Sequence, residues 1–219
     1  MNSREDILGR VRAGLARNAT NAAAAGAEML AALANRGHGP KPAMDCAPLA
    51  LLNRFRAKSE ALASTADAVA READVPRAVA RYLTTMKLAK SAVAWPSLAA
   101  LDWAAAGLAV EGRGARGDDL VGITGCFCAV AETGTLMLCS SPDTPAAVSL
   151  LPETHIALVH AKRIVAYMED AWALARKELG VLPRAVNFIS GPSRTGDIEQ
   201  TIVLGAHGPY RVHLIIVES

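Results

Sequence analysis

Short apolar runs alternate with helical patterns through most of this 219-residue chain, and this alternation leaves few folds open to it. Three of the runs are "SAVAW" at 91–95, "THIALVH" at 154–160 and "RVHLIIVE" at 211–218. They are largely continuous in apolar character, which is typical of parallel strands buried on both faces. Helices must then cover the two faces. The sequence predicts an α/β fold with a mostly parallel central sheet and helices on both faces.

The other elements are predicted from the same patterns. Further strands are expected at 108–112, at 185–190, and as a pair around a turn near Thr133 and Gly134. Helices are expected where apolar residues recur three or four positions apart, or where Pro and Gly mark the two ends of a segment. The expected helices are 47–63, 75–86, 97–107, 142–152, 164–180 and 197–205.

The first 45 residues are expected to form a helical segment followed by a linker. Apolar residues at four-residue spacing predict a helix over 3–17, and an alanine-rich helix follows at 21–34. Two Gly and two Pro within 35–45 then interrupt the pattern. We therefore expect an N-terminal helical segment with its linker over 1–45 and an α/β domain over 46–219.

Charge and hydropathy exclude several classes of protein. The net charge is +2, which is too small to predict nucleic-acid binding. The first ten residues are charged and contain no apolar core of a secretory signal. Charged residues interrupt every candidate for an eighteen-residue apolar stretch. The sequence predicts a cytoplasmic protein without a membrane span.

The four cysteines do not have the spacing of a metal site. Cys126 and Cys128 form a C-x-C pair in apolar sequence, while Cys46 and Cys139 stand alone. Zinc sites and ferredoxin clusters use pairs with at least two residues between the cysteines. We expect buried, reduced thiols, no metal site and no iron–sulfur cluster in this chain.

The stretch "ISGPSRTGDIEQ" at 189–200 contains more small and hydroxyl-bearing residues than a plain turn needs. It follows an expected strand and precedes an expected helix, so its backbone amides, its hydroxyls and a guanidinium can form a cradle for a carboxylate or phosphate. The alternative is a capped turn in which the hydroxyls bind helix amides. The expected ligand-binding residues of this loop are Ser190, Gly191, Ser193, Arg194, Thr195 and Asp197.

A second candidate site is "AETGT" at 131–135. A carboxylate beside a Gly-containing turn and flanked by apolar strands is costly to leave unpaired, so Glu132 either receives hydrogen bonds from loop amides or takes part in chemistry. If both turns end strands of one sheet, this turn should lie beside the loop after residue 189. We include Thr124, Thr133, Gly134 and His207 among the expected ligand-binding residues.

Three blocks of the sequence resemble one known family. They are "GITGCFCAVAETGTLML", "LLPETHIALVHAKRIV" and "FISGPSRTGDIEQTIVLGAHGPYRVHLIIVE", in this order. Together they resemble the lactate-utilisation protein C family, whose conserved unit is called the LUD domain. The resemblance covers most of the chain and implies a fold like that of ribose-5-phosphate isomerase, glucosamine-6-phosphate deaminase and the coenzyme A transferases.

The resemblance also implies a function. It predicts a non-redox subunit that acts in L-lactate oxidation to pyruvate beside two iron–sulfur proteins, the A and B types, with the clusters held by those partners. By analogy with coenzyme A transferases, Glu132 is a candidate catalytic residue of an independent acyl-transfer or sugar-phosphate enzyme. The third possibility is a scaffold protein without catalytic activity. A homo-oligomer is compatible with all three.

Overall fold

Two sheets and a hairpin make up the larger part of the protein, as seen in a computed structural model. The structure describes residues 3–18, 20–35, 39–198 and 201–218. It divides into two compact units, Met1–Lys41 and Pro42–Ser219. The sequence-based boundary at 45/46 lies four residues further along the chain.

The first unit is helical. It contains α1 (Ser3–Gly14) and α2 (Ala22–Asn35), and neither helix has a buried residue among those described. Both helices were expected from the sequence. Among the described residues, no helix of the chain combines the length and apolar character needed to cross a membrane.

The second unit is built on a six-stranded sheet in which every neighbouring pair is parallel. Its strands are β1 (Thr65–Val69), β2 (Ser91–Ala94), β3 (Ala109–Gly112), β4 (Val121–Thr124), β7 (Thr154–His160) and β12 (Arg211–Val217). Their order across the sheet is β1-β12-β7-β4-β2-β3. The central strands are almost wholly buried, as the continuous apolar runs require. The predicted α/β fold with a parallel central sheet is confirmed.

A second, four-stranded sheet of mixed direction lies beside the first. It contains β5 (Cys128–Val130), β6 (Thr135–Cys139), β8 (Ile164–Val165) and β9 (Val186–Ile189), in the order β8-β5-β6-β9. The pairs β5–β6 and β6–β9 are antiparallel. A separate antiparallel hairpin is formed by β10 (Arg194–Ile198) and β11 (Thr201–Leu204).

Four helices pack on the two sheets. They are α3 (Pro48–Ala61), α4 (Val75–Thr85), α5 (Ala147–Leu150) and α6 (Met168–Leu179). Helix α4 packs on β1 and β12, α5 on β4 and β7, α6 on β5 and β8, and α3 contacts β1 and β8. In α4, the buried residues Val75, Val79 and Leu83 form one stripe at four-residue spacing, which explains why a polar-rich segment forms a core helix.

Three sequence predictions about local structure are wrong. The expected helix at 197–205 is the β10–β11 hairpin, because its Ile, Thr and Val residues favour extended backbone. The expected helix at 97–107 is a pair of short 3₁₀ turns, held by the Trp103 indole, which donates to the Leu98 carbonyl at 3.0 Å. Strand β1 was not expected, because "TADAV" has little apolar character.

Candidate functional site

A cavity of about 410 Å³ lies beside the loop that follows β9. Apolar side chains form much of its wall, including Leu62, Leu150 and Phe188. The polar groups lie nearer the solvent, because Ser190, Arg194 and His207 are all exposed. The expected ligand-binding residues that line the cavity are Ser190, Gly191, Ser193, Arg194 and His207.

The loop takes its shape from close packing against the end of α3. Gly191 has a positive φ of 75°, in the left-handed region that glycine adopts without strain. A β-carbon added there would lie 2.3 Å from the carbonyl oxygen of Leu62, the residue after α3. The Arg194 guanidinium also donates to this oxygen, at 3.3 Å. The contact is made by Nη2, one of the two terminal nitrogens, so the other N–H groups of the exposed guanidinium can still donate to a ligand.

A second loop, between β11 and β12, completes the cavity. The Ser193 amide donates to the Pro209 carbonyl at 2.8 Å, and the Gly205 amide donates to the Ser193 carbonyl at 3.0 Å. Gly208 packs closely on the Ser193 side chain. These contacts bring His207 to the cavity, although it lies 17 positions after Ser190 in the sequence.

The donors of this site differ from those expected. No helix follows the loop, so the helix N-terminus predicted to supply amides and a favourable dipole is replaced by strand β10. Thr195 is nearly buried and does not line the cavity. Asp197 has its backbone in β10, and Glu199 lies outside the described residues. An anion would be bound by side chains here: one guanidinium, two serine hydroxyls and an imidazole.

Three hydroxyl groups connect the "AETGT" turn to the cavity. The Thr133 and Thr135 hydroxyl oxygens are 2.7 Å apart, and those of Thr135 and Ser190 are 2.6 Å apart. Strands β6 and β9 pair with Leu136 opposite Ile189, so the next position along sets Thr135 opposite Ser190. The two turns therefore meet as expected, but in the smaller, mixed sheet and through Thr135, which the sequence did not single out.

Glu132 is held in place by its backbone. Its amide donates to the Ala166 carbonyl at 3.0 Å. The turn that contains it includes Gly134, which has a positive φ of 69°. This turn packs closely on α3, since a β-carbon on Gly134 would lie 2.5 Å from the Ser59 amide nitrogen. Within the described part of the chain, the half-buried Glu132 carboxylate receives no hydrogen bond from a loop amide, which was one of the two roles expected for it. Glu132 and Gly134 do not line the 410 Å³ cavity.

Thr124 lies in the core of the parallel sheet. Its hydroxyl is 2.7 Å from Nε2 of His155, and both residues are fully buried. Burial lowers the pKa of His155 to about 4, so the ring is neutral at pH 7. This pair packs the sheet interior, and the structure does not bring Thr124 to the cavity of Arg194.

Cys126 and Cys139 line a separate, mostly apolar cavity of about 340 Å³, together with Trp95 and Phe127. Burial raises the pKa of Cys126 and of Cys128 to about 12, which keeps both as neutral thiols near pH 7. In the described residues, no three Cys, His, Asp or Glu side chains are grouped closely enough to hold a metal ion.

Comparison with known proteins identifies relatives. The model of the LUD domain family matches residues 53–217. "Lactate utilization protein C" of Bacillus licheniformis is 40% identical over 102 residues, covering 45% of this chain and 42% of that protein. The protein of the same name from Bacillus subtilis is 41% identical over 102 residues, with the same shares covered. The match thus spans less than half the length of these curated relatives.

One solved structure has a similar fold. It is the crystal structure of a DUF162 family protein from Deinococcus radiodurans, which aligns with a TM-score of 0.60 and 24% sequence identity. The alignment covers 80% of this chain and all of that chain. At this identity the likeness concerns the fold alone.

Proposed function

Because the chain belongs to the LUD domain family, we propose that it is a non-redox component of an L-lactate utilisation system and binds a small anionic ligand. The relatives named lactate utilization protein C support the first part of the proposal. The second part rests on one observation: Arg194, Ser190, Ser193 and His207 converge on a single cavity.

The chemistry of these side chains fits a carboxylate or a phosphate. A guanidinium donates through parallel N–H groups to two oxygens of such an anion, and hydroxyl groups add further donors. Apolar walls from Leu62, Leu150 and Phe188 would receive the carbon skeleton of the ligand. Lactate and pyruvate each carry one carboxylate on a short carbon chain, so both belong to the class this cavity suits.

Oxidation of lactate to pyruvate releases two electrons and two protons. We propose that the electrons pass to iron–sulfur clusters in partner proteins of the A and B types. The spacing of Cys126 and Cys128 supports this division of labour, because a C-x-C pair does not match the ligand spacing of ferredoxin clusters. The protein would contribute ligand binding and assembly in the cytoplasm.

Arg194→Ala is the variant that tests ligand binding. Losing a hydrogen bond to a charged group should weaken anion binding by about 1.5–3 kcal/mol, while the exposed side chain contributes little to stability. Calorimetric titration with L-lactate, pyruvate and inorganic phosphate measures the change, and Arg184→Ala, also exposed but away from the cavity, is the matched control. If the wild-type protein binds none of the three, the scaffold reading replaces the anion-binding one.

The cellular role has its own test. Deleting the gene should abolish growth on L-lactate and leave growth on pyruvate unchanged, and the wild-type gene should restore it. Complementation with the Arg194→Ala gene should restore growth poorly if ligand binding matters to the system. Normal growth on lactate after deletion would exclude the proposed role.

One observation favours a second candidate function. The Glu132 carboxylate is half-buried in the turn before β6, and among the described residues no amide donates a hydrogen bond to it. We propose, as the alternative, that it acts as nucleophile or base in acyl transfer. Incubation with acyl-coenzyme A thioesters, followed by mass spectrometry, would detect a glutamyl adduct. The adduct must be absent from Glu132→Gln, and its absence from the wild-type protein excludes Glu132 as the nucleophile.

A further inference from the structure

We infer that Thr135 is a positioning residue that orients the Ser190 hydroxyl as a hydrogen-bond donor towards an anion in the cavity, an inference that rests on the proposed ligand site. Thr135 itself does not line the cavity and is only 2% exposed. Its influence on the ligand must therefore pass through Ser190, whose hydroxyl oxygen lies 2.6 Å away.

The chain of hydroxyls has only two arrangements. Each hydroxyl has one proton to donate, and the Thr135 oxygen stands between those of Thr133 and Ser190 at 2.7 and 2.6 Å. In one arrangement Thr133 donates to Thr135, Thr135 donates to Ser190, and Ser190 is left to donate into the cavity. In the other, every donor is reversed and Ser190 presents only its lone pairs to the cavity.

An anion distinguishes between these arrangements. A carboxylate or phosphate oxygen accepts hydrogen bonds and does not donate them, so it selects the arrangement in which Ser190 donates outward. Each bond of the chain then polarises the next, which strengthens the terminal donor. A ligand that presents a donor at this point would select the reversed arrangement, and the same chain would accept it. The Thr135 hydroxyl thus lets Ser190 adapt to the ligand while holding its oxygen in place.

Burial makes this role specific to Thr135. Ser190 lies at the exposed mouth of the cavity, where a serine hydroxyl without a fixed partner would sample several rotamers. Thr135 is fixed by its strand, because β6 pairs with β5 on one side and β9 on the other. Thr133 is exposed and can exchange hydrogen bonds with water as the chain changes direction.

Thr135→Val tests the inference, since it keeps the shape of the side chain and removes the hydroxyl. Calorimetric titration of the full-length protein with inorganic phosphate, L-lactate and pyruvate is expected to show about three- to tenfold weaker binding of whichever probe the wild type binds. Thr135→Ser retains the hydroxyl and should bind within about twofold of the wild type. If Thr135→Val does not unfold cooperatively, Thr135→Cys makes the same comparison with a weaker donor of similar size.

A double-mutant cycle separates positioning from a general structural effect. In a Ser190→Ala background, adding Thr135→Val should change the dissociation constant by less than about twofold, because the group through which Thr135 acts is gone. An undiminished effect in that background, or equal binding by Thr135→Val and the wild type, overturns the inference and leaves the anion site standing. If the wild type binds none of the three probes, the ligand proposal itself fails.

Discussion

Gly191 lies directly against Leu62, so closely that a β-carbon on Gly191 would stand 2.3 Å from the Leu62 carbonyl oxygen. The same oxygen accepts a hydrogen bond from Arg194. The end of α3 therefore sets both the path of the loop and the position of its guanidinium. A residue 129 positions away in the sequence determines the geometry of the candidate site.

Gly191→Ala is expected to lower the free energy of unfolding by about 1–3 kcal/mol, because alanine is strained at this positive φ. The methyl group would also collide with the Leu62 carbonyl, which adds to the loss. The midpoint of urea unfolding measures the loss. Gly196→Ala is the matched control, since nothing lies within 4 Å of the added carbon. Equal midpoints for the two variants would show that the loop is free to move away from α3.

Stability is expected to fall as the pH drops from about 6.5 towards 4. Burial lowers the pKa of both His155 and His213 to about 4, from an ordinary value of 6.5. Between these pH values the two histidines bind protons in the unfolded chain but stay neutral in the folded protein. The free energy of unfolding therefore falls on acidification, by at most about 1.4 kcal/mol per pH unit for each histidine. Above pH 6.5 the contribution is fully present.

Urea unfolding at pH 7.5, 6 and 5 measures this dependence. His213→Phe isolates one of the two groups, because a phenyl ring can keep the stack on Tyr82, where the rings are 3.8 Å apart, and cannot titrate. Its stability should decline less steeply below pH 6.5 than that of the wild type. Identical slopes would show that His213 is protonated without cost in the folded protein.

Only one of the four thiols is expected to react quickly with a thiol reagent near pH 8. Cys46 is exposed, while burial raises the pKa of Cys126, Cys128 and Cys139 and keeps them in the unreactive protonated form. Reaction with Ellman's reagent should show one fast equivalent under native conditions and four in denaturant. Cys46→Ser should remove the fast phase. A fast phase that persists in this variant would place a reactive thiol in the apolar cavity.

Removal of residues 1–34 is expected to leave a folded domain, because α1 and α2 bury no residue among those described. The truncated protein should unfold in a single cooperative thermal transition close to that of the full chain. Loss of the transition would show that the N-terminal helices belong to the core.

The sequence alone determined the parallel sheet. Continuous apolar runs such as 154–160 and 211–217 are stable as strands when both of their faces are buried. This requirement places them in the centre of a parallel sheet, and it can be recognised from the runs themselves. The loop from Ser190 to Arg194 was also visible, because Gly, Pro and Ser end a strand through local backbone preferences. These features depend on residues close together in the sequence.

Tertiary structure decided the rest. Segment 197–205 carries both helix-compatible charges and β-branched residues, so local preference was nearly balanced and pairing of β10 with β11 settled it. The Thr135–Ser190 contact joins residues 55 positions apart, and no local pattern encodes it. It exists because β6 and β9 pair in one register, and register is fixed by side-chain packing across the whole sheet. The sequence supplied the hydroxyls, and long-range strand pairing brought that of Thr135 to that of Ser190 at the wall of the cavity.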